Sequence, residues 1–146
     1  MGITKELLEK IQGIADGNLT SFVVFGSRAS GRERFDSDLD VMLIFKSFTQ
    51  DIKKIETLIS DIEYDISSEY GISISSIQYS EKELKIGVER RDRLLLGMIT
   101  GYKVIYDRNR FFCFQMERLK TSLKKQGAKY IEKERVWKIP RLKIRA

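Results

Sequence analysis

Residues Phe25–Asp40 read FGSRASGRERFDSDLD, a glycine–serine pair at Gly26 and Ser27 followed by three aspartates at alternate positions, Asp36, Asp38 and Asp40. Like charges this close repel, and the repulsion grows as they leave water. Such a cluster is either solvated or closed on a cation. The flanking residues set the local structure. Residues 19–26, LTSFVVFG, are apolar, rich in strand formers and end in glycine, so they read as a strand. The run from Asp38, DLDVMLIF, is apolar on both faces beyond Asp40, the pattern of a central strand covered on both sides. Asp38 and Asp40 are two residues apart and leave the same face of that strand, a placement that allows them to share one divalent cation or bridge two.

The glycine–serine pair adds a second element. A residue without a β-carbon lets another group approach the backbone, and Ser27 is a good N-cap for a short helix. A helix start of this kind points free N–H groups at an anion. Read alone, the pair does no more than cap a helix, and a lone Asp-x-Asp does no more than open an exposed strand. An EF-hand reading fails, because Val41 stands where the calcium loop needs glycine and Ser47 where it needs glutamate. With no histidine and one cysteine, Cys113, the usual zinc sites and an internal disulfide framework are excluded. A metal held here has oxygen ligands, which favours magnesium, manganese or calcium. Cys113 lies in an apolar run and reads as a buried structural thiol.

Around this motif the chain alternates helix and strand patterns. Residues 4–16 form an amphipathic helix with Thr4 as its N-cap, and residues 49–70 a second, with Gly71 just past its end. ISISSIQYS (72–80) reads as a third strand, residues 81–101 as a helix broken near Gly87, and YKVIYD (102–107) as the last strand. The expected fold is α/β (α+β): a small mixed sheet flanked by helices, over residues 1–107, with a basic helical C-terminal extension at residues 108–146. Residues 111–146 hold eleven Lys and Arg against three Asp and Glu, a net of +8. The whole chain is +6, so residues 1–110 carry −2. A basic tail containing Trp137 suits RNA by charge and stacking, docking on an acidic partner, or a plain solvated helix face. No signal-peptide layout and no apolar run of membrane-spanning length are seen, so a cytoplasmic location without membrane contact is expected.

Gly26, Ser27, ten intervening residues, then Asp38, Leu39 and Asp40 resemble the GS-x10-DxD signature of the DNA polymerase beta-like nucleotidyltransferase superfamily. In length the chain resembles its minimal members, among them the antitoxins of HEPN/MNT (minimal nucleotidyltransferase) systems. The resemblance is strongest over residues 19–46. It implies a polymerase beta-like sheet. It further implies catalytic, metal-binding roles for Asp38 and Asp40 with Mg2+ or Mn2+, and contacts from Gly26, Ser27 and Arg28 to the phosphates of ATP. The reaction it implies is transfer of a nucleoside monophosphate to a hydroxyl, such as a tyrosine of a cognate HEPN-type toxin.

One departure from the signature stands out. Active members carry a third carboxylate on a later strand, whereas residues 73, 75 and 76 here are serines, and the nearby acids Asp65, Glu69, Glu81 and Glu83 fall outside that strand. Serine is uncharged and is no base near neutral pH. Two alternatives to a working transferase follow: a catalytically reduced module that binds nucleotide or toxin, and an RNA-binding protein acting through the basic tail.

Overall fold

The computed structural model describes residues 2–26, 29, 38–48, 52–131, 133 and 136–139. In chain order the elements are α1 (Ile3–Ala15), β1 (Leu19–Phe25), β2 (Leu39–Phe45), α2 (Ile52–Tyr70), β3 (Ile74–Ser80), α3 (Glu81–Arg90), α4 (Arg93–Met98), β4 (Tyr102–Asp107), α5 (Phe111–Lys125), β5 (Lys129–Ile131) and β6 (Val136–Lys138). The main sheet has strand order β3-β2-β1-β4. β1 pairs antiparallel with β2 and β4, and β2 pairs parallel with β3. This is the mixed, helix-flanked sheet expected from the sequence.

β2 is buried throughout except at Asp40. Its alternation splits the interior into two cores. Leu39, Val41, Leu43 and Phe45 face α1 and α2, packing with Leu7, Ile11, Ile59 and Ile66. Met42 and Ile44 face α3, α4 and α5, packing with Leu84, Leu95, Phe112, Met116 and Leu119. A register shift between Leu19 and Ser21 in the β1–β2 ladder changes the phase of β1, so that Leu19 and Phe22 point into the same core.

Three local features differ from the sequence reading. Gly2, not Thr4, occupies the N-cap of α1, and it supplies no side-chain cap. The break after α3 falls at Arg91 and Asp92 rather than at Gly87. Ser80 and Glu83 close a capping box at the start of α3, and Arg91 ends it in the left-handed conformation, φ 53°. Gly87 stays inside the helix because its bare backbone lets Asp92 and Leu95 pack close; a β-carbon there would lie 3.0 Å from Asp92 Oδ2. Residues 129–138, expected within a helical extension, include an antiparallel pair of strands, β5 and β6.

Described residues after 107 pack onto the second core. The buried face of α5 carries Phe112, Met116, Leu119 and Leu123, and Trp137 and Ile139 pack against the same cluster. The Trp137 indole N–H donates to the Leu96 carbonyl at 2.8 Å, and its ring lies 5.5 Å from that of Tyr130. That indole is therefore engaged within the fold rather than offered to a base.

Asp107 joins β4 to α5. Its carboxylate accepts from the Ser21 hydroxyl at 2.7 Å and from the amides of Phe112 and Cys113 at 2.8 and 3.0 Å. These amides belong to the first turn of α5 and have no partner within the helix. Asp107→Ala leaves them and the Ser21 hydroxyl without their acceptor. We expect a loss of about 2–3 kcal/mol, read as a lower urea midpoint with unchanged slope. Burial, then the hydrogen bond to Asp107, pushes the Cys113 thiol up, which disfavours its nucleophilic thiolate form.

Candidate active site

The site forms where β1 ends and β2 begins. Gly26 follows β1 with φ 78°, a conformation that a residue with a side chain adopts only under strain. A β-carbon on Gly26 would overlap Asp40 Oδ2. Gly26 therefore lets the carboxylate lie against the backbone bend. The Gly26 carbonyl also accepts from the Ala29 amide at 3.2 Å, which turns the chain back over the first core.

Asp40 is half-buried and Asp38, just ahead of β2, is exposed. Asp40 alternates with Leu39 and Val41 and so lies on the face that carries Met42 and Ile44. Its carboxyl is pushed up, first by burial and then by the charge of Asp38. The two acids therefore sense each other, and a bound cation would relieve both the repulsion and the burial cost. Ser27, Arg28, Arg32, Arg34 and Asp36 lie outside the described residues.

Register shows what flanks the pair. Asp40 stands opposite Phe25 on β1 and opposite Ser75 on β3, and Phe25 stands opposite Tyr102 on β4. The row Ser75–Asp40–Phe25–Tyr102 crosses the whole sheet, and Lys120 donates to the Tyr102 hydroxyl at 3.1 Å at its far end. The sequence contains these residues but gives no sign of the row, which depends on strand pairing. Ser75 occupies the β3 position beside Asp40, and among the described residues no three Asp, Glu, Cys or His side chains gather.

A further carboxylate, Glu63 on α2, was not singled out by the sequence reading. It is hydrogen-bonded to Ser76, and its Oε2 is buried without a partner. Ser76 alternates with Ser75, so Glu63 lies on the α2 side of the sheet and does not complete the aspartate pair. Burial pushes Glu63 up, and the Ser76 hydrogen bond opposes this less strongly. The folded chain therefore binds this proton more tightly than the unfolded chain. The stability it contributes is full below the ordinary glutamate value and is lost as pH rises through the raised value. Glu63→Gln should flatten that loss: the wild type melts progressively lower than the variant as pH is raised from about 4 to 7 in calorimetric scans.

A four-stranded mixed sheet flanked by helices, with an Asp-x-Asp pair opening a central strand beside a glycine turn, defines the nucleotidyltransferase class. Residues 9–111 match the family described as "Polymerase beta, Nucleotidyltransferase". The chain belongs to this nucleotidyltransferase family. It is similar to a Methanocaldococcus jannaschii protein named "Putative protein adenylyltransferase", at 33% identity over 137 residues, covering 94% of this chain and 92% of that one. Two solved structures share its fold. One is of a toxin–antitoxin with AMP-PNP (TM-score 0.51, 13% identity, 83% of this chain and 88% of that chain). The other is of a variant of the toxin–antitoxin MntA–HpeT (TM-score 0.52, 12% identity, 87% and 91%). Among the described residues no helix is long and apolar enough to cross a membrane.

Proposed function

We propose that this chain is a magnesium-dependent protein adenylyltransferase that moves AMP from ATP onto a hydroxyl of a partner toxin, and so acts as its antitoxin. The acceptor in this reading is a tyrosine of a HEPN-type toxin. The observation that carries it is the fit of Gly26 against Asp40, which sets a backbone bend directly beside a half-buried carboxylate that is pushed up first by burial and then by Asp38. The name of the archaeal relative supports protein as the acceptor class. The toxin–antitoxin structures that share the fold, one with an ATP analogue, support the nucleotide and the partner.

In this reading Asp38 and Asp40 hold Mg2+ or Mn2+, and their all-oxygen donor set suits a hard cation. The ion supplies charge neutralisation on the triphosphate. Gly26 N–H, Ser27 and Arg28 position the phosphates. The acceptor oxygen attacks the α-phosphorus as the bond to the β-phosphate bridging oxygen breaks. Pyrophosphate leaves with that electron pair, and the acceptor proton passes to solvent. With Ser75 beside Asp40 on β3, the described residues supply two carboxylates to the site.

The test is incubation of the pure chain with α-labelled ATP, Mg2+ and its toxin partner. Label on the partner, with pyrophosphate released in equal amount, is the expected result; an unlabelled partner at full ATP occupancy overturns the reading. The Ser75 position also favours a second reading, a binding module that neutralises its partner without turnover. In that case a variant lacking both carboxylates still neutralises the toxin.

A further inference from the structure

The outer face of α5 carries a second candidate site, away from the aspartate pair. Phe114, Arg118, Thr121 and Lys125 recur at helical spacing and form one stripe, opposite the buried stripe of Phe112, Met116, Leu119 and Leu123. The outer stripe lines an open groove of about 590 Å3. Arg91, at the end of α3, forms the other wall. Its Nε and Nη2 donate to the Ser122 hydroxyl at 3.2 and 2.6 Å, and Arg118 Nη1 donates to Gln115 Oε1 at 2.9 Å. Both guanidinium groups are thus fixed by neutral oxygens, and among the described residues neither is ion-paired. Arginine has five N–H donors, so each keeps donors and a full charge for a ligand.

Two more observations narrow the ligand. Phe114 is 59% exposed, an aromatic ring in water at the mouth of the groove. Gln126 Oε1, which also lines it, is buried with no hydrogen-bond partner, so the groove holds an acceptor that lacks an N–H donor. Glu117 is a second acceptor there. Positive charge with hydroxyl donors suits phosphodiesters, an exposed ring suits a base face, and the unfilled Gln126 acceptor suits an amino group of a base edge. An acidic peptide would answer the charge but leave the ring unmatched.

We infer that this groove binds single-stranded nucleic acid, with phosphates on Arg91, Arg118 and Lys125 and a base stacked on Phe114. The site adds a binding function that does not depend on the adenylyl-transfer reading.

Fluorescence anisotropy of the full chain with labelled twelve-nucleotide RNA, across a salt series, tests this. Arg118→Gln/Lys125→Gln should reduce the slope of log affinity against log salt by about 1.4, since each phosphate contact on a single strand contributes about 0.7. Phe114→Ala should weaken binding about tenfold with the slope unchanged. All three positions are on the surface, and circular dichroism melts matching wild type show that the variants are folded. Absence of RNA binding at about 50 mM salt, where such contacts are strongest, overturns the inference. So does a double variant that binds like wild type. Displacement of the RNA by polyglutamate as readily as by unlabelled RNA also overturns it, in favour of an acidic protein partner.

Discussion

Asp40→Asn should lower AMP transfer by about a thousandfold in a single-turnover assay with saturating ATP and Mg2+. A metal ligand's contribution to transition-state charge is worth several kcal/mol, and each 1.36 kcal/mol is a factor of ten. The substitution keeps the shape of the side chain and the packing against Gly26, and removes the charge alone. Loss of activity should not reflect unfolding. The Asp40 carboxyl is pushed up by burial and by Asp38, so the fold bears a cost for its charged form. The neutral amide removes that cost, and the variant should melt no lower than wild type. Asp38→Asn should fall by a similar factor, and the double variant little further, because two ligands of one ion act as a unit. If both single variants transfer AMP at the wild-type rate, the pair is not the metal site.

Phe112→Ala should lower the unfolding free energy by about 3–5 kcal/mol, measured by urea titration. The side chain is fully buried, contacts the Tyr102 ring edge-on with centroids 5.5 Å apart, and sits beneath Met42 and Ile44 in the second core. A protein stable by about 5–15 kcal/mol would lose a large share of its margin. The site would feel the loss, since Tyr102 belongs to the row that contains Asp40. The result also bears on how residues 108–146 relate to the rest: α5 and Trp137 fill the second core, so their removal exposes the sheet face on which Asp40 lies. A small effect, under about 1 kcal/mol, would mean that α5 behaves as an appendage.

Much of the fold was legible because its signals are local. The apolar run of β2 with one interrupting acid, the i, i+3, i+4 spacing in α1 and α2, and the glycine after α2 each follow from backbone period and side-chain size. The errors were at boundaries and in the tail. A glycine inside α3 suggested a break, but glycine also serves close packing, and only Asp92 and Leu95 show which applied. The short strands β5 and β6 have three residues each, too few for a period to show, and a basic run looks alike in either state.

For the site, the sequence supplied the chemical inventory: a glycine turn, two acids two residues apart, no histidine, and a third strand bearing serines. The two acids stand two residues apart in the chain, so the aspartate pair needed no tertiary contact to be seen. What stands across from it depends on which strands pair and in what register, and that is set by packing over the whole domain. Tertiary structure alone therefore decided that Ser75 and Phe25 flank Asp40, that Glu63 lies behind the sheet, and that Gly26 yields to the carboxylate. It also decided that Trp137 is occupied while Phe114, on the same basic segment, faces water.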